Sequence, residues 1–299
     1  MSRVVRWRNF VAIALESKIW RPKTDFKKSI AELVKEVALD GDYIVVSEKA
    51  LSSALGLLYD ESSIKIDPYS KVMTYLTTNL LWGLALSRVC KLSLETSLFL
   101  RKYPLTEGAR HKKLALRVGG LLQALKPTSE CGIDATNVPG YLVSLPLKNP
   151  FYIANDIRTY LEQELGINVR VVISDSDKCY QFKPLPKLIL SCRNTGIRSS
   201  VNLGFISFLV ARLFNNFFSP YATPIGFSPL NLDVTELLIV AELADRARGF
   251  GIGRTIYDIE KKLKIKATEI TWDILDLFPH YPVVVVKKVR GTRRASRHL

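Results

Sequence analysis

Cysteine and histidine are scarce in this chain, four and three in 299 residues, and they do not cluster. Cys90, Cys131, Cys179 and Cys192 show no CxxC spacing. That argues against a closed zinc site, whose ligands come in short-spaced groups. The four thiols read instead as packing residues in a reducing compartment. No apolar run reaches the roughly 18–20 residues that a membrane span needs; the most apolar stretch, residues 203–214, is too short. Arg3, Arg6 and Arg8 are interrupted by Trp7, Asn9 and Glu16 rather than followed by the apolar core of a signal peptide. A soluble, cytoplasmic protein without membrane contact is expected. The Gly-Lys-Ser/Thr of a Walker loop is missing, and so is the interleaved aromatic and basic motif of RNA-recognition domains.

What is present is a core-forming composition, 47% hydrophobic, and a net charge of +15. Such a charge raises the question of a nucleic-acid partner. Its distribution weakens that reading, because six of the excess cations lie in residues 287–299 and three more in the first eight residues. Nucleic acid stays a possible but not favoured partner, with the basic ends as its contact.

Helical spacing of Phe26, Ile30, Leu33, Val34 and Val37 predicts a helix over 24–37, capped by Thr24 or Asp25. A turn at Asp40, Gly41 and Asp42 follows, then a buried strand over 43–46 that delivers Ser47, Glu48 and Lys49 at its carboxyl end. The order repeats downstream: a helix over 153–165 stopping at Gly166, then a strand over 169–173 ending in Ser174, Asp175, Ser176 and Asp177. A last buried strand is expected over 283–286. Residues 70–98 read as a buried helix pair and 204–221 as an aromatic-rich helical segment. Alternating helices and strands predict a mixed α/β fold, and in open α/β sheets ligands commonly bind at the carboxyl ends of strands.

Few residues suggest chemistry. Lys49, just past a strand, suits a phosphate as a point charge with three donors, or is an ordinary solvated lysine. The segment GIDATNVPG, residues 132–140, is too broken for a helix and holds Asp134 and Asn137 among apolar neighbours. Asp134 and Asp175, each beside an amide or hydroxyl, suit a hard divalent cation that takes one or two carboxylates plus phosphate oxygens; loop aspartates also form Asx-turns for structural reasons alone. In ARGFGIGRTIYDI, Gly251 and Gly253 precede Arg254 and Thr255 and a helix-like continuation. This is either a nonstandard phosphate cradle or a helix stop after Arg248 followed by a hinge. No histidine neighbours a serine or cysteine motif, so nucleophilic catalysis has no support, and no residue is assigned a direct catalytic role.

Taken in order, VVSEKALSSALG, ECGIDATNVPG, SLPLKNPFYIANDIRTYLEQELGINVRVVISDSD and PVVVVKKVRG resemble the coenzyme F420-0:gamma-glutamyl ligase family. The resemblance covers most of residues 10–290, leaving 291–299 as a basic tail, and Gly-Ile-Asp-x-x-Asn-Val is its most specific block. It implies the family's α/β fold in an intertwined homodimer. It also implies a GTP-dependent ligase, using Mn2+ or Mg2+ with K+, that joins L-glutamate to a deazaflavin coenzyme precursor or a related carboxylate acceptor through an acyl phosphate. Lys49 and Asn137, with Ser47 at the same strand end, would contact the nucleotide, and Asp134, Asp175 and Ser176 would hold metal. Three departures stand out. Asp177, Lys178, Cys179, Tyr180 and Gln181 replace the usual Phe-Gly-Arg-Pro-Trp, the Gly- and Ala-rich substrate segment that usually follows gives way to the aromatic-rich stretch up to Tyr221, and the glutamine that would ligate metal before the last strand is missing, with Asp276 nearby as a substitute. The alternative is a member without catalysis that binds nucleotide or nucleic acid.

Overall fold

The computed structural model of the chain describes residues 3–127, 130–249, 260 and 262–289. In chain order the elements begin with β1 (Arg3–Trp7), β2 (Phe10–Ser17), α1 (Phe26–Val34), β3 (Tyr43–Ser47), α2 (Glu48–Ala54) and β4 (Leu58–Asp60). A helical insertion follows: α3 (Pro68–Thr74), a π-helical stretch Tyr75–Leu86, α4 (Ser87–Val89), α5 (Leu94–Arg101), α6 (Leu105–Gly119) and α7 (Leu121–Ala124). The chain continues through β5 (Leu142–Ser144), α8 (Pro150–Leu165), β6 (Arg170–Phe182), β7 (Ile189–Ser191), β8 (Ser200–Asn202), α9 (Phe205–Leu213), β9 (Phe218–Ser228), α10 (Val234–Arg248) and β10 (His280–Lys288).

The architecture is mixed α/β. One large sheet runs β1-β2-β10-β3-β6, with β7 and β8 continuing beside the far half of β6 and β9 along its other edge. Its central strands are valine-rich because both faces are covered, which yields continuous apolar runs instead of alternation. Ile44, Val46, Val171, Ile173, Val283 and Val285 enter one core, under α1 and α8. Tyr43, Val45, Val172, Val284 and Val286 enter the other, under α10. Asp25 caps α1 through the Lys28 amide, and α8 stops where Gly166 turns left-handed at φ 66°. No helix among the described residues is long and apolar enough to cross a membrane.

Three expectations need correction. The strand expected over 169–173 runs on as β6 to Phe182. Its pairing with β9 slips between Asp175 and Lys178, so Ser176 and Asp177 bulge out, and this interruption hides the strand's second half from a reading based on periodicity. The segment 204–221 is helical only through Leu213; from Phe218 it is β9, an edge strand that tolerates Pro220 and Pro224. The stretch 70–98 is largely helical but buried along one side only, leaving Val72, Leu76, Leu84 and Val89 exposed, as is Tyr69 just before it.

β3 and β6 are parallel, with Ser47 directly beside Ser174. That register brings Ser47, Glu48 and Lys49 alongside Ser174, Asp175 and Ser176 at the carboxyl ends of neighbouring strands.

Candidate functional site

A cleft of about 600 Å³ opens over these strand ends. Ser47, Lys49, Asp134, Asn137, Asp175 and Ser176 all line it, so residues from three distant parts of the chain share one cavity. Ser47 sits at the amino end of α2 without forming a side-chain capping bond, and it lines the cleft. Lys49 lies in the first turn of α2.

The segment 132–140 is held from below. Ile133 and Val138 are buried, and Asp134 exchanges backbone hydrogen bonds with Ser144 of β5, at 3.2 and 2.8 Å. Asp134 Oδ1 accepts from the amide and the hydroxyl of Thr136, both at 2.7 Å, so the Asx-turn is real. Its Oδ2 pairs with Lys49, which also donates to Thr136. Asn137 adopts φ 62°, a conformation asparagine tolerates better than most residues. The structural reading of Asp134 holds: the turn fixes the carboxylate through Oδ1, and Oδ2 pairs with Lys49 in the cleft.

Asp175 is paired with Arg193, whose Nη1 donates to Oδ2 at 2.7 Å. The same guanidinium holds Glu48 with both terminal nitrogens, and Glu48 accepts a further bond from the Leu147 amide at 3.1 Å. All three side chains are largely buried. Two carboxylates share one guanidinium, and they differ in consequence. Burial pushes Glu48 up despite its partner, whereas for Asp175 the pull of Arg193 outweighs burial and holds it below the usual range. Gly132 makes the arrangement possible: its φ is 76°, and a Cβ there would overlap the Arg193 guanidinium.

In the bulge of β6, Asp177 turns away from the cleft to a buried ion pair with Lys126, and burial pushes its carboxyl up. Behind that pair lies a charged chain in the insertion. Lys112 Nζ donates to Glu130 at 2.7 Å, and His111 bridges Glu130 and Glu61 at 3.0 and 2.7 Å. Burial alone would depress His111, but the two carboxylates raise it to about 10. On the opposite wall of the cleft Lys178 donates to Glu242 and Asp245, each at 2.8 Å. Arg248 donates to Ser174 Oγ at 2.9 Å and to the Val45 carbonyl at 3.0 Å. Burial lowers its guanidinium to about 10 and leaves Nε without a partner. His280, also lining the cleft, is pushed down to about 4 by burial and is neutral at pH 7.

Reading the sequence missed Arg193, Lys178, Arg248, Glu242 and Asp245. The helical spacing of Glu242, Asp245 and Arg246 on an apolar helix was a usable signal; Arg193, one cation after a short strand, offered none. Asp276 does not line the cleft; it accepts from the Ile19 amide and pairs with Arg21. α10 does end at Arg248, with Gly249 at φ 65°. Gly251, Gly253, Arg254 and Thr255, and the tail 291–299, lie outside the described residues.

Four acids and four cations line the cleft, and they are interleaved. Among the described residues no three acids, histidines or cysteines form a metal cage. Asp134, Asp175 and the hydroxyl residues Ser47, Ser174 and Ser176 line one cleft, and their oxygens are of the kind a hard divalent cation takes together with phosphate and water; Lys49 and Arg193 hold one oxygen of each carboxylate.

Residues 14–183 match the family model described as F420-0:Gamma-glutamyl ligase. The chain is also 32% identical over 291 residues to an uncharacterized protein of Methanocaldococcus jannaschii, covering 92% of this chain and 96% of that protein.

Proposed function

The chain belongs to the F420-0:gamma-glutamyl ligase family, and from that premise we propose that it is a GTP- and divalent-cation-dependent ligase. It joins the amine of L-glutamate to the carboxylate of coenzyme F420-0 or a related acceptor. The observation that carries this reading is the convergence of Lys49, Asp134, Asn137, Asp175 and Ser176 on one cleft at the carboxyl ends of β3 and β6. Asp134 and Asp175, with Ser176, would hold Mg2+ or Mn2+, which when bound offsets the charge of the triphosphate. K+ is expected beside it.

Each residue has a physical task. Lys49 places a point charge at the mouth of the cleft for a phosphate oxygen, and its bonds to Asp134 and Thr136 fix where that charge sits. Arg248, anchored on Ser174 and Val45, presents a second cation from α10. Asn137 and Ser47 offer neutral hydrogen-bonding groups to the nucleotide. In the first step an acceptor carboxylate oxygen attacks the γ-phosphorus while the bond to the β-phosphate oxygen breaks, releasing GDP and leaving an acyl phosphate. In the second the glutamate amine attacks the acyl carbon, the carbon–oxygen bond to phosphate breaks, and the amine proton departs with the phosphate. The protein contributes position and charge and forms no covalent intermediate. Mass spectrometry after incubation with GTP, Mg2+ or Mn2+, L-glutamate and coenzyme F420-0 tests the reading. A product heavier by one glutamyl unit, formed with equimolar GDP and phosphate, is expected; nucleotide hydrolysis without that product would overturn it.

The exposed stripe Tyr69, Val72, Leu76, Leu84 and Val89 supports the homodimer that family membership suggests. Leu76→Glu combined with Leu84→Glu is expected to yield monomers in analytical ultracentrifugation.

A further inference from the structure

A second cleft, of about 580 Å³, lies on the far side of Arg193. Lys148 and Arg193 line it and no acid does, in contrast to the four acids of the first cleft. Amides run along it: Gln123 Nε2 donates to Asn202 Oδ1 at 3.1 Å, and Asn202 Nδ2 donates to Asn194 Oδ1 at 2.8 Å. Gln123 Oε1 is buried and accepts no hydrogen bond. A buried carbonyl oxygen left so is costly, and a ligand N–H or O–H would satisfy it. Phe151 supplies an apolar wall. The two cavities meet at one side chain, because Arg193 lines the second cleft while it pairs with Asp175, which lines the first.

We propose that this second cleft seats the carboxylate-bearing acceptor, an anion with an apolar body and an N–H or O–H donor, its acid end drawn by Lys148 to the border that the ion-paired Arg193 forms with the nucleotide cleft. The name of the ligand rests on the ligase reading; its chemistry rests on the cleft alone. Size favours the acceptor over the amino acid, since cavities of roughly 300–1,000 Å³ hold drug-sized molecules. Placement follows from the shared arginine: a carboxylate held there lies next to the side of the first cleft where Asp175 stands. Gln123 then reads a donor on the acceptor's body, and the amide chain through Asn202 fixes which way that carbonyl points.

Cys131 gives the readout. It lines the second cleft and is half-buried, whereas Cys90, Cys179 and Cys192 are buried. The rate of Cys131 alkylation by iodoacetamide is followed by peptide mass spectrometry on the full chain, at alkaline pH because burial pushes this thiol up. The chain is tested alone, with coenzyme F420-0, with L-glutamate, and with GTP plus MgCl2. Coenzyme F420-0 is expected to slow alkylation by roughly tenfold, and the other two additions by less than about twofold. Lys148→Ala and Gln123→Ala should each raise the concentration needed for protection by roughly tenfold, about 1.4 kcal/mol, while GTP binding stays unchanged. Absence of protection by coenzyme F420-0, or equal protection in both variants, overturns the inference. Protection by L-glutamate alone overturns it too, giving the cleft to the amine donor. Protection by coenzyme F420-0 without ligated product keeps the second cleft and removes the ligase reading; product without protection does the reverse.

Discussion

The two clefts that meet at Arg193 are built from neighbouring elements and differ in how their charges are compensated. In the first, acids and cations are matched: Asp134 with Lys49, Asp175 with Arg193, Glu242 and Asp245 with Lys178. In the second, Lys148 and the ion-paired Arg193 border a row of amides, and no acid lines the cleft. A lining of paired charges is suited to a ligand that brings both signs, such as a polyphosphate with its counter-cation, because each ion can exchange one partner for another. A lining of cations and neutral amides is suited to an anion that arrives alone. Arg193 is the wall between them, so its loss should affect both.

That wall carries the largest expected effect. Arg193→Met leaves Glu48 and Asp175 buried without their guanidinium, and breaking a buried ion cluster by removing one partner costs roughly 3–5 kcal/mol. Calorimetry is expected to show Tm falling by roughly 6–15 °C, with part regained in the Arg193→Met, Glu48→Gln double variant. An unchanged Tm would mean the clefts are not divided by a charged wall.

Next comes the charged chain of His111, Glu130 and Glu61. His111 is raised to about 10 by Glu130 and Glu61 against the opposing effect of burial. A raised folded-state value means that its stabilisation is fully present below pH 6.5, its ordinary value, and is lost as pH rises towards about 10. Urea unfolding should therefore show a stability loss on the order of 3 kcal/mol between pH 6.5 and 10, and His111→Gln should flatten that slope. Equal slopes in the two proteins would remove charge as the support of this region.

Gly132→Ala is smaller. It forces a Cβ onto the guanidinium and a side chain into φ 76°, for an expected loss of about 1–3 kcal/mol. Smallest in stability is Asp134→Asn, since its pair with Lys49 is partly exposed and such pairs contribute about 1 kcal/mol or less. Its consequence belongs to binding.

The first cleft was far more legible in the sequence than the second. Strands such as 43–46 and 283–286 are buried on both faces and announce themselves as short valine-rich runs, and the helices over 24–37 and 153–165 keep their apolar period. Lys49 and Asp175 are legible because each stands just beyond such an element, and Asp134 because it is a lone acid in the broken, mostly apolar segment 132–140. The second cleft comes from pieces with no shared period: Gln123 from α7, Lys148 from the loop before α8, Arg193 and Asn194 from the turn after β7. Only the fold brings them together. The bulge at Ser176 and Asp177 concealed the rest of β6 for a related reason, because bending a strand to aim a carboxylate removes the alternation by which strands are read.

The division of labour between the clefts is tested most directly by calorimetric titration of GTP with MgCl2, and separately of coenzyme F420-0, into the wild-type, Asp134→Asn and Lys148→Ala proteins. A crossed pattern is expected: Asp134→Asn weakens nucleotide binding by roughly tenfold or more and leaves the acceptor unaffected, while Lys148→Ala does the opposite, each tenfold being about 1.4 kcal/mol. Nucleotide binding that survives Asp134→Asn at full strength, or two variants that weaken both ligands alike, would contradict it.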